Sequence, residues 1–247
     1  SVAILAQVFA QNYLRARLRA LLRPNAMPEY TVKYFALPAL GEPIRLILHL
    51  GKIDFVDERL TFAEWPEHKP KTKWGQMPIV YAADGTEMTQ TKALVRYFGK
   101  KVSWEASPLY PTDAFLAFKV DEMIDAMEDV RAKLVATFKI EDQAEKEAAR
   151  KALFADGGDC CELLKKIDSF SGSKFVVGDC LTIADIWFYF FLVFLRCGFF
   201  DGVPADYMQV YPNLQGVVAN VAAIPEIKSY YAAKDLEAEP MYKAFAM

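Results

Sequence analysis

The chain has 247 residues, of which 53% are hydrophobic and 25% are charged. These values exclude a disordered chain and fit one large domain or two small ones with a substantial core. The net charge is −3, and residues 1–26 carry four arginines and no acidic residue, so residues 27–247 carry −7 (−3 minus +4). A body this acidic argues against nucleic acid as a partner.

The four cysteines predict no metal site. They form no Cys-x-x-Cys pair, and their spacing to the two histidines does not match a zinc site. We interpret them as small core residues of a protein from a reducing compartment.

Residues 1–23 have the pattern of an amphipathic helix, because Arg15, Arg19 and Arg23 recur every fourth residue along one stripe. Its first fourteen residues lack charge, but they are too short and too polar to predict a membrane span. An arginine-rich, acid-free helix is instead typical of an organelle transit peptide. We therefore expect residues 1–26 to form a helical extension that binds a partner protein or a membrane surface. Its composition predicts a mitochondrial or other organellar location, and otherwise the cytoplasm.

Residues 27–103 have the pattern of a small α/β unit. Helices are predicted from residue 41, with Pro43 tolerated in the first turn, and over residues 90–101. Asp84-Gly85 predicts the turn of a hairpin. The order of elements is βαβ followed by ββα, with strands predicted at residues 31–36, 54–60, 78–83 and 86–89.

The stretch around Met77-Pro78 predicts a peptide-binding edge. Proline cannot donate a ladder hydrogen bond, so Pro78 belongs at the first residue of a strand. If this peptide bond is cis, the backbone N–H and C=O of Met77 face outward, where a short extended peptide can pair with them. Gln90-Thr91 opens a helix whose free N–H groups attract a carboxylate. A buried strand, a tight turn and an ordinary capped helix would give the same pattern.

Residues 109–247 are predicted to be all helical. Long periodic stretches cover residues 115–138 and 143–170, and Pro212 and Pro225 begin two shorter helices. Residues 182–185 form a capping box ahead of a very apolar helix over residues 186–197. At this length an apolar helix indicates a core helix and not a membrane span.

Several of these landmarks, in this order and spacing, resemble the cytosolic-type glutathione transferases. The resemblance covers residues 28 to about 235 and is closest to the sigma class, the class of the haematopoietic prostaglandin D synthases. It implies a thioredoxin-like N-terminal domain (βαβ-ββα) followed by an all-α C-terminal domain. The matching residues are Tyr34-Phe35, residues 41–45, Trp65-Pro66-Glu67, Lys69, Met77-Pro78, Gln90-Thr91, Val120-Asp121, Asp125 and residues 182–185.

The resemblance implies that glutathione is the co-substrate and that Tyr34 donates a hydrogen bond to its sulfur. An unperturbed thiol has a pKa of about 8.5, so such a bond would favour the thiolate near neutral pH. A half-buried strand tyrosine is the alternative for Tyr34. The implied glutathione-binding residues are Trp65, Lys69, Gln76, Met77, Pro78, Gln90, Thr91 and, across a homodimer interface, Asp121.

Within that set, Met77 would pair with the cysteinyl backbone, and Gln90 with Thr91 would receive the γ-glutamyl carboxylate. Trp65 and Lys69 would meet the glycyl end. Lys69 and Asp121 also fit a solvated lysine cluster and a solvated helix face, and these alternatives stay open at this point.

One position departs from the resemblance. Sigma-class members commonly have an arginine six residues after the tyrosine, and this chain has Leu40 within an apolar loop over residues 36–40. One electrostatic aid to the thiolate is therefore missing. The absence of a cysteine near Tyr34 disfavours a redox-thiol function. We expect the acceptor site beside Leu37, Leu40 and the first helix of the second domain.

Two functions follow from these patterns. The first is a glutathione transferase that conjugates or isomerises a small hydrophobic electrophile, as a homodimer or as a subunit of a larger protein complex. The alternative is an accessory subunit of a larger, mitochondrial membrane complex, docked by its N-terminal helix with weak or no catalysis. The pair Gln90-Thr91 together with Tyr34 favours the enzyme, since a purely structural subunit needs none of them.

Overall fold

A mixed four-stranded sheet forms the first half of the molecule in a computed structural model, which describes residues 28–246. The predicted helix over residues 1–23 lies outside the described residues. The strands are β1 (Tyr30–Phe35), β2 (Phe55–Leu60), β3 (Ile79–Ala82) and β4 (Glu87–Thr89). Their order in the sheet is β2-β1-β3-β4, with β1 parallel to β2 and antiparallel to β3.

Helix α1 (Glu42–Leu50) connects β1 to the parallel strand β2, and α3 (Thr91–Lys101) follows β4. The predicted βαβ-ββα order is therefore confirmed. Two features were not predicted. A four-residue helix, α2 (Trp65–His68), lies in the lysine- and proline-rich loop, and a short hairpin, β5 (Ser103–Trp104) and β6 (Ser107–Pro108), follows α3.

The second half is helical, as predicted, but residues 143–170 form two helices. Gly157 between them has a φ of +76°, which favours glycine. Gly158 approaches the preceding helix so closely that a Cβ atom there would lie 2.2 Å from the carbonyl oxygen of Ala152. The helices are α4 (Ala114–Ala136), α5 (Gln143–Phe154), α6 (Asp159–Phe170), α7 (Ile183–Phe194), α8 (Pro212–Ala223) and α9 (Pro225–Ala232).

Helix α7 lies at the centre of the helical half, and every one of its residues is buried. The capping box is present: the Thr182 side chain accepts from Ala184 N–H, while Asp185 accepts from Thr182 N–H at 2.7 Å. None of the helices between residues 28 and 246 combines the length and hydropathy that a membrane span requires. The apolar sequence of α7 is thus a core helix, as predicted.

The C-terminal segment returns to the sheet half and contacts it at β2 and at the first turn of α1. A short 3-10 helix, Pro240–Ala244, carries Tyr242, whose hydroxyl donates to Glu42 Oε2 at 2.9 Å. Arg59 of β2 donates to the Tyr242 oxygen at 3.2 Å and pairs with Glu239. The two halves of the chain are therefore joined by a buried polar network next to the first turn of α1.

Candidate functional site

Tyr34 lies near the carboxyl end of β1 and is 6% exposed. Its ring packs on Gly41, where a Cβ atom would lie 2.6 Å from Tyr34 Cδ1. The backbone N–H of Leu40 donates to the hydroxyl oxygen at 3.3 Å. Burial raises the pKa of Tyr34 to about 12, although Leu40 N–H, Arg45 and Arg131 act in the opposite direction. The hydroxyl is therefore protonated at neutral pH and can donate its proton in a hydrogen bond.

Arg45 holds the loop that follows Tyr34. Its guanidinium, which is fully buried, donates to the carbonyl oxygens of Leu37 at 3.1 Å and Phe35 at 3.4 Å. It also contacts Asp57 Oδ1 at 2.8 Å and Glu42 Oε2 at 3.2 Å. The neighbouring Asp57 and Glu42 carboxylates raise the pKa of Arg45 despite its burial. This fixed charge keeps the backbone beside Tyr34 in place.

The positioning role of Arg45 was not predicted. The motif over residues 41–45 places an acid and an arginine three positions apart on one helix, which was the signal available in the sequence. The partner carboxylate of Asp57 comes from another strand, and nothing local in the sequence indicates it.

The predicted peptide-binding edge lies next to Tyr34. Lys33 pairs with Ile79 across β1 and β3, so Tyr34 and Pro78 are the next positions at the same end of the two strands. The Met77–Pro78 peptide bond is cis. Within residues 28–246, the backbone N–H and C=O of Met77 make no hydrogen bond. The edge therefore offers one donor and one acceptor to a bound backbone.

Gln76, Gln90 and Thr91 come together beside this edge. The Gln90 side chain donates to Gln76 Oε1 at 3.4 Å. Thr91 is the buried first residue of α3, and Gln90 precedes it with a positive φ of 71°. The first N–H groups of a helix lack helical partners and favour an anion. A carboxylate group has a suitable binding position here.

Trp65 and Lys69 approach the same region from the loop after β2. The indole of Trp65 meets the ring of Phe35 edge-on, with centroids 5.8 Å apart. The Lys69 side chain passes Gly75, since a Cβ atom on that glycine would lie 3.6 Å from Lys69 Cε. Lys69 thus borders the turn that leads to Met77, whereas Trp65 borders the end of β1 beside Tyr34.

Asp121 differs from the other predicted residues because both of its oxygens have partners within this chain. Arg96 Nε donates to Oδ1 at 2.7 Å, and the Tyr110 hydroxyl donates to Oδ2 at 2.9 Å. One turn later Asp125 pairs with Lys92 at 2.6 Å. The observed role of Asp121 is to tie α4 to α3, and its action on a partner subunit stays a prediction.

A cavity of about 170 Å³ opens beside Tyr34, between the sheet half and the helical half. Leu37 and Leu40 line it from the loop, and Arg131 and Val135 line it from α4. This is where an acceptor site was expected. The cavity is strongly aromatic, with phenylalanines at positions 35, 62, 138, 190, 191, 194, 199 and 200.

Arg131 is the charged residue among the described lining residues, and it was not singled out in the sequence. It lies on a helix with many charged residues, so nothing in the neighbouring sequence indicates that this one faces the cavity. Its Nε and Nη2 both contact Glu128 Oε1 at 2.5 Å.

Among residues 28–246, one group of side chains could hold a metal ion. Asp156, Cys161 and Glu162 place their ligand atoms within 4.8 Å of one another. Lys165 already pairs with both carboxylates, at 2.8 Å and 2.7 Å. The group lies at the start of α6, away from Tyr34 in the sequence, and it plays no part in the site described above.

Comparison with known proteins identifies the family. A family model described as "Glutathione S-transferase, C-terminal domain" matches residues 128–234. A glutathione S-transferase of Anopheles gambiae is 30% identical over 213 residues, which cover 85% of this chain and 98% of the relative. The chain belongs to the glutathione S-transferase family.

Further matches confirm the predicted sigma-like resemblance within the glutathione S-transferases. A hematopoietic prostaglandin D synthase of Gallus gallus is 29% identical over 205 residues, covering 83% of this chain and 96% of the relative. The solved structure of a prostaglandin synthase D of Nilaparvata lugens matches with a TM-score of 0.73 and 26% identity, covering 84% of this chain and 98% of that one. The predicted fold class is also confirmed.

Proposed function

We propose that this protein is a glutathione transferase, which activates the glutathione thiol for conjugation to a hydrophobic electrophile or for isomerisation of one. The observation that carries the proposal is the position of the Tyr34 hydroxyl. It lies between an edge suited to a peptide backbone and a cavity suited to an apolar acceptor. Family membership supports the same activity.

Glutathione would bind along the edge. The free N–H and C=O of Met77 suit the backbone of its cysteinyl residue, and Pro78 and Gln76 shape that turn. The start of α3 at Gln90 and Thr91 suits the γ-glutamyl carboxylate, which the helix dipole would favour by about 0.3–1 kcal/mol. The glycyl end of glutathione would reach Trp65 and Lys69.

The reaction would begin when the Tyr34 hydroxyl donates a hydrogen bond to the glutathione sulfur. A hydrogen bond to the charged form lowers the pKa of the thiol, so that its proton leaves to solvent near neutral pH, and one pKa unit corresponds to about 1.4 kcal/mol. The thiolate would then attack an electrophilic carbon held in the cavity, forming a C–S bond. In conjugation the leaving group departs or the acceptor takes up a proton, whereas in isomerisation the C–S bond breaks again and the thiol is restored.

Titration of glutathione tests this proposal on the wild-type protein and on Tyr34→Phe. We expect similar affinities for the two proteins, because the hydroxyl acts on the sulfur and not on the peptide. The ultraviolet absorbance of the bound thiolate should titrate at lower pH in the wild type, and conjugation by Tyr34→Phe should fall at least tenfold. Equal thiolate absorbance in both proteins would remove Tyr34 from the mechanism, and no binding at millimolar glutathione would overturn the proposal.

The remaining predictions concern partners and location. A homodimer is proposed from the family alone. The accessory-subunit alternative and the organellar location both depend on the helix over residues 1–23, which lies outside the described residues. Nothing between residues 28 and 246 favours that alternative over the enzyme.

A further inference from the structure

The cavity beside Tyr34 combines an aromatic lining with one cation. Apart from Tyr34 and Arg131, the described residues that line it are apolar. The Arg131 side chain is 28% exposed, so the guanidinium borders the cavity without being sealed in it. Glu128 occupies the Nε–Nη2 edge of this guanidinium, so the N–H groups of Nη1 are those that a ligand can use.

A cation at the border of an apolar space selects its ligand by charge. Charge interactions strengthen where water is excluded, and a guanidinium matches a carboxylate in geometry. The phenylalanine rings in turn favour a flat aromatic body over a branched aliphatic one. The ligand that matches this cavity in shape and charge is an aromatic molecule that bears an anionic group.

We propose that the preferred acceptor is an aromatic electrophile with a carboxylate, whose ring packs among the phenylalanines and whose carboxylate pairs with Arg131. The role of this molecule as an acceptor rests on the proposed transferase function. Its binding to the cavity does not rest on that function, because an aryl carboxylate would enter the cavity without glutathione.

The rival use of this charge is to assist the glutathione sulfur. Arg131 acts on Tyr34 through space in the direction that lowers the pKa of its hydroxyl. The ion pair with Glu128 favours the acceptor instead. It occupies the Nε and Nη2 edge on the side of α4 and leaves the N–H groups of Nη1 for a ligand. The experiment below separates the two uses.

The test compares 4-chloro-3-nitrobenzoate with the uncharged 4-chloro-3-nitrobenzamide as acceptors. Each kcat/KM is divided by the rate constant of the uncatalysed reaction with glutathione, and the ratio of the two values is the selectivity. We expect the wild type to favour the benzoate by about tenfold, the effect of one charge-assisted hydrogen bond at a partly exposed site. Arg131→Met should bring the selectivity to about one, and Arg131→Lys should keep part of it.

Two further variants sharpen the test. Glu128→Gln removes the competing carboxylate and should raise the selectivity for the benzoate. Lys133→Met removes a cation from the same helix that pairs with Asp159 outside the cavity, and it should leave the selectivity unchanged. A wild-type selectivity of one overturns the proposal. So does an Arg131→Met variant that slows both acceptors equally and raises the pKa of bound glutathione, because the charge then serves the sulfur.

A binding measurement distinguishes this inference from the proposed function. If the wild type binds glutathione but converts neither acceptor, the inference fails as a statement about turnover, and calorimetry with 4-phenylbutyrate and 4-phenylbutanol then tests the cavity alone. Tighter binding of the acid, lost in Arg131→Met, supports the inference. Equal affinities for the acid and the alcohol overturn it.

Discussion

At the scale of single residues, the state of the Tyr34 hydroxyl sets what the site can do. Burial raises the pKa of Tyr34 to about 12, so the tyrosinate form is not populated at neutral pH. The residue can serve as a hydrogen-bond donor to a sulfur but not as a base that removes the thiol proton. The pH dependence of conjugation should therefore follow the ionisation of the bound thiol alone.

Replacement of Leu40 tests whether a nearby cation improves this site. Leu40 lines the cavity beside Tyr34, and its backbone N–H already contacts the hydroxyl. In Leu40→Arg we expect the pKa of bound glutathione to fall by about one unit, since a positive charge within about 4–6 Å favours the thiolate. Spectroscopic titration of the thiolate measures this shift. Leu40→Met is the control for shape, and an arginine variant with the wild-type thiol pKa would show that the added guanidinium points away from the sulfur.

The sequence predicted the residues of the peptide edge from local turn and helix-start geometry, and it predicted Tyr34 through the family resemblance. It did not identify Arg131. A charged residue on a long amphipathic helix is equally compatible with solvent and with a cavity, and only the packing of the two halves decides between them.

At the scale of elements, helix α7 depends on the carboxylate that caps it. Asp185 is fully buried and accepts from Val176 N–H at 2.6 Å and from Thr182 N–H at 2.7 Å. Burial raises the pKa of this carboxyl to about 6, although the hydrogen bonds act in the opposite direction. The cap was predicted because the capping-box pattern lies within four consecutive residues.

Asp185→Asn should destabilise the fold by about 1–3 kcal/mol at neutral pH, because the asparagine NH₂ group would face backbone N–H donors. The folded pKa lies above the unfolded value of about 3.9, so this group's contribution to stability is greatest at low pH and decreases as the pH rises to about 6. The loss of stability in the variant should therefore be roughly 1 kcal/mol larger at pH 5 than at pH 7.

Urea unfolding of the wild type and the variant at both pH values measures this difference. Asp179→Asn is the matched control, because it removes a carboxylate from an exposed position shortly before the same helix. A loss that grows from pH 5 to pH 7 would show that the hydrogen bonds outweigh burial and lower the pKa of Asp185.

The elements also show where prediction from sequence stops. Strand and helix positions in the first half were predicted to within one or two residues, because proline, glycine and hairpin signals mark their ends. The break between α5 and α6 was not predicted, since the apolar periodicity continues on both sides of Gly157 and Gly158. Here the tight approach of Gly158 to Ala152 decides the structure.

At the scale of the whole molecule, the C-terminal segment supports the catalytic half of the chain. Tyr242 contacts Glu42 across a sequence separation of 200 residues. Glu42 in turn pairs with Arg45, which holds the backbone carbonyl of Leu37 beside Tyr34. No pattern in the sequence indicates this connection, because each residue taken alone fits an ordinary core or surface position.

Tyr242→Phe should therefore affect both stability and turnover. Loss of its hydroxyl removes one of the hydrogen bonds to the buried Glu42 carboxylate, whose other oxygen, Oε1, has no partner within residues 28–246. A hydrogen bond to a charged group contributes about 1.5–3 kcal/mol, so we expect a loss of that size in urea unfolding, while Arg45 still donates to the same oxygen. We also expect a several-fold fall in kcat/KM, because Arg45 would hold the loop beside Tyr34 less firmly.

Tyr230→Phe is the matched control, since the Tyr230 hydroxyl is buried and has no partner in the described part of the chain. Removing it takes away the same atom without breaking a hydrogen bond, so this variant should be neutral or more stable. If both variants lose equal stability, packing around the rings matters and the Tyr242–Glu42 bond does not. If Tyr242→Phe loses stability but keeps full kcat/KM, the C-terminal segment supports the fold without positioning Tyr34, and the link through Arg45 is wrong.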